Sequence, residues 1–301
     1  MSAPPPAALP TRNGVGPSCV ALPPGAWPTL LDFLSQRFPG IAREVWLRRM
    51  ASAEVLDEQG LALAPDTPYR PRTRAFYYRA LAQEPRIPFD ETVLYQDADL
   101  VVVDKPHFLP VTPTGRFVQE SLLVRLKRRL GIDSLQPAHR LDRETAGLVL
   151  FSVQRQSRDA YHRLFRERLV HKQYEAIAPW SAELQLPLER RSLIVQGSPF
   201  ICMREAAGEP NAQTAIDLLQ VREQRALYRL TPLTGRKHQL RVHMAALGLP
   251  IQNDPLYPAL LDIADDDFSR PMQLLARSLE FTDPLSGQQR KFESRQSLQW
   301  H

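Results

Sequence analysis

The chain has 301 residues, 43% apolar and 24% charged. That excludes wholesale disorder and leaves enough apolar side chains for about two cored domains. Lys and Arg number 38 against 33 Asp and Glu, a net charge of +5, so a polyanionic partner is permitted but not demanded. Two cysteines, Cys19 and Cys202, exclude a disulfide scaffold and a zinc site of about four clustered ligands. The start, MSAPPPAALP, lacks a charged residue followed by a long apolar run, and no segment approaches the ~18 apolar residues of a spanning helix. The expectation is a soluble, cytoplasmic protein without a membrane partner.

In chain order, residues 1–25 are rich in Pro, Ala and Gly and read as a poorly ordered tail. A small unit over 26–82 follows. Leu30, Leu31, Phe33, Leu34 and Phe38 fit one amphipathic helix, and Ile41 to Met50 a second. Ala53–Leu56 and Leu61–Ala64 read as strands around an Asp57–Gly60 turn. Arginines 70, 72, 74 and 79 then interleave with Tyr77 and Tyr78, giving an α-α-β unit of about 60 residues. Pro85 and Pro88 mark 83–90 as a linker.

The larger domain, 91–301, opens with strands at Thr92–Tyr95 and Leu100–Asp104. Gln119–Leu130 is a helix with Leu122, Leu123, Leu126 and Leu130 on one face and Gly131 at its end. Gly147–Val153 is a buried strand and Ser157–Leu169 a helix. Lys172–Ala178, Ala215–Val221 and Ala226–Leu233 are strands, Lys237–Leu247 a helix, and Leu274–Phe281 with Gln289–Phe292 a closing hairpin. Strands outnumber helices, so the fold class is α+β with a mixed, largely antiparallel sheet flanked by helices and loops.

Three constellations carry chemistry. In Pro137–Gly147 (PAHRLDRETAG), Asp142 sits among Arg140 and Arg143; a carboxylate beside cations stays ionised and serves as nucleophile or base. A mixed-charge surface loop would read the same. In Thr234–His243 (TGRKHQLRVH), Arg236, Lys237, Arg241, His238 and His243 crowd a helix start, which favours an anion such as a phosphate; a solvated basic face is the plain alternative. Zinc does not fit there, because His238 and His243 share no helical face and no acid completes a set. In Lys172–Ala176 (KQYEA), Tyr174 lies on an alternating strand, a pattern that core tyrosines share.

Taken together, HRLDRETAG at His139–Gly147 resembles the signature of the RluA-type RNA pseudouridine synthases, usually His-Arg-Leu-Asp, two variable residues, then Thr-Ser-Gly. LYQDADLVVVDKP at Leu94–Pro106 resembles the family's first motif, KQYEA its tyrosine-bearing strand, and GRKHQLRVHMAALGLPIQNDPLY at Gly235–Tyr257 its third motif. The resemblance runs from about 90 to 295. Ala146 departs from the usual Ser, and Asn253 from a Gly that commonly precedes Asp254. The 26–82 unit resembles a degenerate small RNA-binding domain of the ribosomal-protein S-four type.

The resemblance implies an isomerase that converts a uridine within structured RNA to pseudouridine, without metal or cofactor. Asp142 carries over as the catalytic group, as nucleophile or base. Arg241 carries over as its charged partner and Tyr174 as the ring that stacks on the target base. Arg140 fills the gap left by the extruded nucleotide or contacts phosphate, His139 shapes the loop, and Leu240 packs against the base site. Lys105 is structural or phosphate-contacting. Phosphate contacts are expected from Arg43, Arg48, Arg49, Arg72, Arg74, Arg236 and Lys237. The expected partner is 23S ribosomal RNA, with tRNA as the other choice, bound by a monomer. The competing readings are a non-catalytic RNA-binding or RNA-folding factor on the same scaffold, and an Asp-dependent enzyme acting on free nucleosides.

Overall fold

The computed structural model describes residues 9–79, 84–264 and 266–300, and the chain divides into two compact units, Met1–Glu84 and Pro85–His301. In the first unit the order is β1 (Ser18–Ala21), α1 (Leu30–Arg37), α2 (Arg43–Ala51), β2 (Val55–Leu56) and β3 (Arg74–Tyr77), with β3 central in a three-stranded antiparallel sheet. A capping box starts α1: Thr29 Oγ1 accepts the Asp32 N–H and Asp32 Oδ2 accepts the Thr29 N–H, both at 3.2 Å. Leu30, Phe33 and Leu34 of α1 then pack with Trp46 and Met50 of α2 and with Val20, Val55 and Ala75 of the strands.

Two expectations for this unit need correction. The tail over 1–25 is ordered in its second half: β1 pairs with β3 from Ser18↔Tyr77 to Ala21↔Arg74, and Val15, Val20 and Leu22 are buried. Residues 1–8 lie outside the described residues. Four residues are too few for a period to register in a Pro-rich stretch; the strand exists because β3 supplies its hydrogen bonds from more than 50 residues away. The unit is therefore β-α-α-β-β rather than α-α-β. Leu61–Ala64 is not a strand; it forms a single bridge, Leu56↔Ala62, where Asp57 Oδ1 accepts the Gln59 and Leu61 N–H groups and closes the turn.

The second unit contains β4 (Thr92–Gln96), β5 (Leu100–Lys105), α3 (Leu122–Leu130), β6 (Gln136–Pro137), β7 (Ala146–Ser152), α4 (Arg158–Arg166), β8 (His171–Pro179), β9 (Leu188–Gln196), β10 (Met203–Ala206), β11 (Ala212–Arg222), β12 (Arg225–Pro232), α5 (Gln239–Ala246), β13 (Leu274–Thr282) and β14 (Gln289–Glu293). They build an 11-stranded sheet ordered β10-β9-β11-β12-β8-β13-β7-β5-β4, with β14 on β13 and β6 on β7. The β13–β7 pair is parallel and the others antiparallel, so the sheet is mixed and the class α+β.

Strands β5 and β7 are buried on both faces, which is why they read as unbroken apolar runs. Val101, Val103, Val149 and Phe151 pack with Leu122 and Leu126 of α3. Their neighbours Leu100, Val102, Leu148 and Leu150 turn to the other face, with Tyr161 and Leu164 of α4 and Leu279 of β13. At the other end of the sheet, Ala176, Ile216, Tyr228 and Leu230 pack with Leu240 and Met244 of α5. Gly131 ends α3 in the left-handed conformation, φ 68°. Of the expected linker, residue 83 lies outside the described residues, but Ile87 is buried with α3 and its carbonyl accepts Arg125 Nη2 at 2.7 Å. That stretch belongs to the second unit because its apolar side chain and its carbonyl both find partners there.

Candidate active site

An open cleft of about 750 Å3 lies in the second unit, lined by Asp142, Tyr174, His238, Leu240 and Arg241 among others. Three segments far apart in sequence meet there because of the sheet order. Asp142 sits on the short loop between β6 and β7, Tyr174 on β8, and Arg241 in the first turn of α5. The α5 start is shaped by Gln239, whose Oε1 accepts the Thr234 hydroxyl at 2.7 Å and the Arg236 N–H at 3.0 Å.

Arg241 Nη1 donates to Asp142 Oδ2 at 3.0 Å, so the two residues carried over as partners are a direct pair. The Asp142 side chain remains 29% exposed while that of Arg241 is 1% exposed. A guanidinium this buried needs a second full negative charge, and the structure supplies Asp254, to which sequence reasoning gave no role. Burial works to lower the Arg241 pKa, but its hydrogen bonds to Asp254 and the charges of Asp254 and Asp142 outweigh it and hold the group above its ordinary value. Asp254 lies within the stretch that resembles the third motif, and the signal for its role is chemical: an arginine on the packed face of a helix demands an acid somewhere.

Tyr174 is half-buried, and burial, then the Asp142 charge, hold its phenol above the ordinary range. It is a neutral ring on the wall of the cleft. His139 lies behind the loop: its Nε2 accepts the Leu150 N–H at 3.1 Å, and its ring stacks on Phe165 at 4.3 Å. Burial, then Lys172, push its pKa down to about 3. Arg140 is exposed at the cleft wall, and Leu240, 8% exposed, bridges the cleft and the α5 core.

The structure removes Lys105 as a phosphate contact. It is completely buried, and its Nζ donates to the carbonyls of Pro106, Leu109 and Arg143 at 2.9, 2.7 and 3.2 Å. His107 Nδ1 reaches the Glu144 carbonyl at 2.7 Å, and Arg143 Nε donates to the Phe108 carbonyl at 3.1 Å. The Lys105–Leu109 segment thus clamps the backbone that follows Asp142.

Among the other expected RNA contacts, Arg236 and Lys237 line the cleft and are exposed. Arg166, Arg168 and Lys172 also line it and were missed, because an α4–β8 connection reads as an ordinary solvated turn. Arg43, Arg48, Arg49, Arg72 and Arg74 belong to the first unit. There Arg43 pairs with Asp32 and Arg74 with Glu58, each at 2.8 Å, and Arg49 lies over the Trp46 ring; Arg48 and Arg72 are exposed. Among the described residues no group of His, Cys, Asp and Glu is placed to hold a metal, and no helix is long and apolar enough to cross a membrane.

Comparison with known proteins points the same way. Residues 99–246 match the family described as RNA pseudouridylate synthase. An uncharacterised RNA pseudouridine synthase of Synechocystis is 32% identical over 76% of this chain and 79% of its own. The dual-specificity RNA pseudouridine synthase RluA of Haemophilus influenzae is 32% identical over 67% of this chain and 92% of its own. The solved structure of human RNA pseudouridylate synthase domain containing 4 superposes with a TM-score of 0.52 at 26% identity, covering 67% of this chain and 87% of that one.

Proposed function

This chain belongs to the RluA-type family of RNA pseudouridine synthases, and we propose that it isomerises one uridine of a structured RNA with Asp142 as the catalytic group. The observation that carries this reading is the chain of contacts from Asp142, in a cleft that also presents Tyr174, through buried Arg241 to Asp254 behind it.

The chemistry follows from what each group can do. Pseudouridine formation breaks the N–C bond between uracil and ribose, turns the base, and makes a C–C bond to the same ribose, so no atom or electron is gained or lost. The enzyme must stabilise a transient change at the sugar. Arg241 cannot lose its proton, so it stays a charged donor to one Asp142 oxygen and leaves the other turned to the cleft. That oxygen acts on the ribose as nucleophile or base. Tyr174 offers a flat face for the flipped uracil, and Leu240 closes the apolar side.

The cations Arg140, Arg168, Lys172, Arg236 and Lys237 hold the phosphates on either side of that nucleotide. A free nucleoside would need none of them. We place the target in 23S ribosomal RNA, with tRNA the other choice, and assign further phosphate contacts to Arg48 and Arg72 of the first unit. The test is to map pseudouridine in total RNA from a strain lacking the protein, complemented with wild type or Asp142→Asn. Wild type should restore a defined site and Asp142→Asn should not. Equal product from both would exclude Asp142, and product on free uridine alone would move the substrate class.

A further inference from the structure

His238 immediately precedes α5, and its backbone sits in the left-handed region at φ 56°, a conformation that a side chain with a Cβ adopts at a cost. The fold accepts that cost at a residue whose ring is fixed from behind. His238 Nδ1 lies 2.8 Å from the Tyr257 hydroxyl, with the two rings edge to face at 5.8 Å. The same hydroxyl accepts the Met203 backbone N–H at 2.7 Å. A phenol has one proton to give. Tyr257 is 9% exposed, and among the described residues its hydroxyl has these two partners. A backbone N–H cannot accept, so the phenol proton goes to His238 Nδ1. The imidazole proton is therefore on Nε2.

Nε2 faces Asp142 Oδ1 at 3.9 Å, while Oδ2 is held by Arg241. We propose that His238 is a positioning residue for Asp142, its Nε2–H aimed at Oδ1 by the Met203–Tyr257 relay so that Arg241 and His238 together fix the plane in which the carboxylate meets the ribose. The separation is longer than a hydrogen bond, so the oxygen that Arg241 does not hold is left free to react, and the donor beyond it opposes rotation of the carboxylate plane. Burial keeps the ring neutral, its pKa pushed down to about 4; Asp142 and Asp254 pull it up while Arg241 and Lys237 push it down. The ring thus acts as a directed dipole and does not compete with Arg241 for the carboxylate charge. This assignment rests on Asp142 being the catalytic group; the tautomer does not.

The experiment uses the full chain in two arms. In the first, nitrogen NMR of 15N-histidine-labelled protein reads the His238 tautomer: Nε2–H in wild type, and a mixture in Tyr257→Phe. In the second, single-turnover pseudouridine formation is followed on ribosomal RNA from a strain lacking the protein. His238→Phe keeps the ring volume without the donor, and should slow the chemical step about tenfold or more with RNA affinity changed less than about twofold. His238→Gln, whose amide nitrogen reaches the Nε2 position, should recover most of the rate. A purely structural role would weaken stability and affinity together and show no rescue. Should His238→Phe fail to fold, Tyr257→Phe carries the rate arm. A wild-type proton on Nδ1, or full-rate turnover in His238→Phe, overturns the proposal. Failure of the underlying reading looks different: Asp142→Asn would turn over at the wild-type rate with the Nε2–H tautomer intact, and both assignments would fall.

Discussion

Arg241 is gripped by Asp254 through two parallel hydrogen bonds, Nε to Oδ2 at 2.7 Å and Nη2 to Oδ1 at 2.6 Å. Asp254 Oδ1 also accepts the Leu256 and Tyr257 N–H groups at 2.8 and 3.1 Å, so the acid is itself immobile. The fork geometry leaves a single guanidinium nitrogen, Nη1, pointing at Asp142. Asp254 thus sets the direction in which Asp142 is held without touching the cleft wall itself.

Removing that acid is expected to be severe. Asp254→Ala leaves a buried guanidinium with one partner instead of two and should cost about 3–5 kcal/mol of stability. Asp254→Asn keeps the shape, with one oxygen acceptor fewer, and should cost less while still lowering turnover, because the fork no longer closes on both nitrogens. Urea unfolding of the two variants beside wild type checks this; an unchanged midpoint for Asp254→Ala would contradict it.

Lys105→Met tests the clamp behind the loop that carries Asp142. Methionine fills the space but donates to none of the three carbonyls that Lys105 now satisfies, so a loss of about 2 kcal/mol or more is expected. Because Nζ reaches the Arg143 carbonyl, the loop beside Asp142 loosens and turnover should fall. RNA affinity and its salt dependence should not change, since a side chain sealed in the interior neutralises no phosphate. A shallower salt slope in Lys105→Met would restore the phosphate role.

How much of this was legible follows from the range of each signal. Strands β5 and β7 and helices α3 and α4 show in the sequence because their apolar patterns are local, and Gly131 is punctuation that any chain must obey. Strand β1 was hidden because its partner Tyr77 lies 59 residues from Ser18. Strand β9, LERRSLIVQ, was missed because its outer positions carry charges and its ends are half-exposed. In the site, Asp142, Tyr174 and Arg241 were identifiable through a family resemblance, with spacing alone leaving a charged loop and a basic face. Asp254 and the His238–Tyr257 contact carry no local pattern. They follow from a buried charge and a strained backbone, which exist only once the chain is folded.

Gly147 offers a test of the close approach that joins two halves of the sheet. Its φ is +107°, and a Cβ there would lie 2.3 Å from the Ala276 carbonyl oxygen, at the parallel pairing of β7 with β13. Gly147→Ala must push the two strands apart or distort the turn out of the Asp142 loop. A loss on the order of 3 kcal/mol or more is expected, read as a lowered thermal midpoint; a midpoint within a degree or two of wild type would mean the strands do not meet this closely.

Binding should be led by phosphates. Log affinity for the RNA should fall linearly with log salt, and replacing one cleft cation such as Arg168→Ala should reduce the slope by about 0.7 if it meets a phosphate of a single strand. Asp142→Asn should keep both affinity and slope. A salt-insensitive complex would contradict this account of the cleft.

Acid sensitivity is the last expectation, and its sign can be worked out. Burial pushes His107, His238 and His243 down to about 4, and His139 to about 3. An unfolded chain has histidines near 6.5, so between about pH 6.5 and 4 the unfolded state binds protons that the native state refuses. The histidine contribution is then fully present above about pH 6.5 and is lost as the pH falls. Each histidine contributes at most about 1.4 kcal/mol per pH unit across that window, less where water reaches the ring. The carboxylates Asp32, Asp97 and Glu205, held below their ordinary values, withdraw their support further down in pH. Urea midpoints measured at pH 7.5, about 5.5 and about 4.5 should therefore fall steadily. The histidine part of the decline should begin near pH 6.5, where carboxylates with ordinary values near 4 are still ionised. His243 makes the cause separable: it is completely buried between Ser192 and Thr214, with both ring nitrogens 3.0 Å from a hydroxyl. His243→Gln should lower stability at pH 7.5 yet flatten the descent between about pH 6.5 and 5. An equally steep descent in that variant would assign the acid sensitivity to other groups.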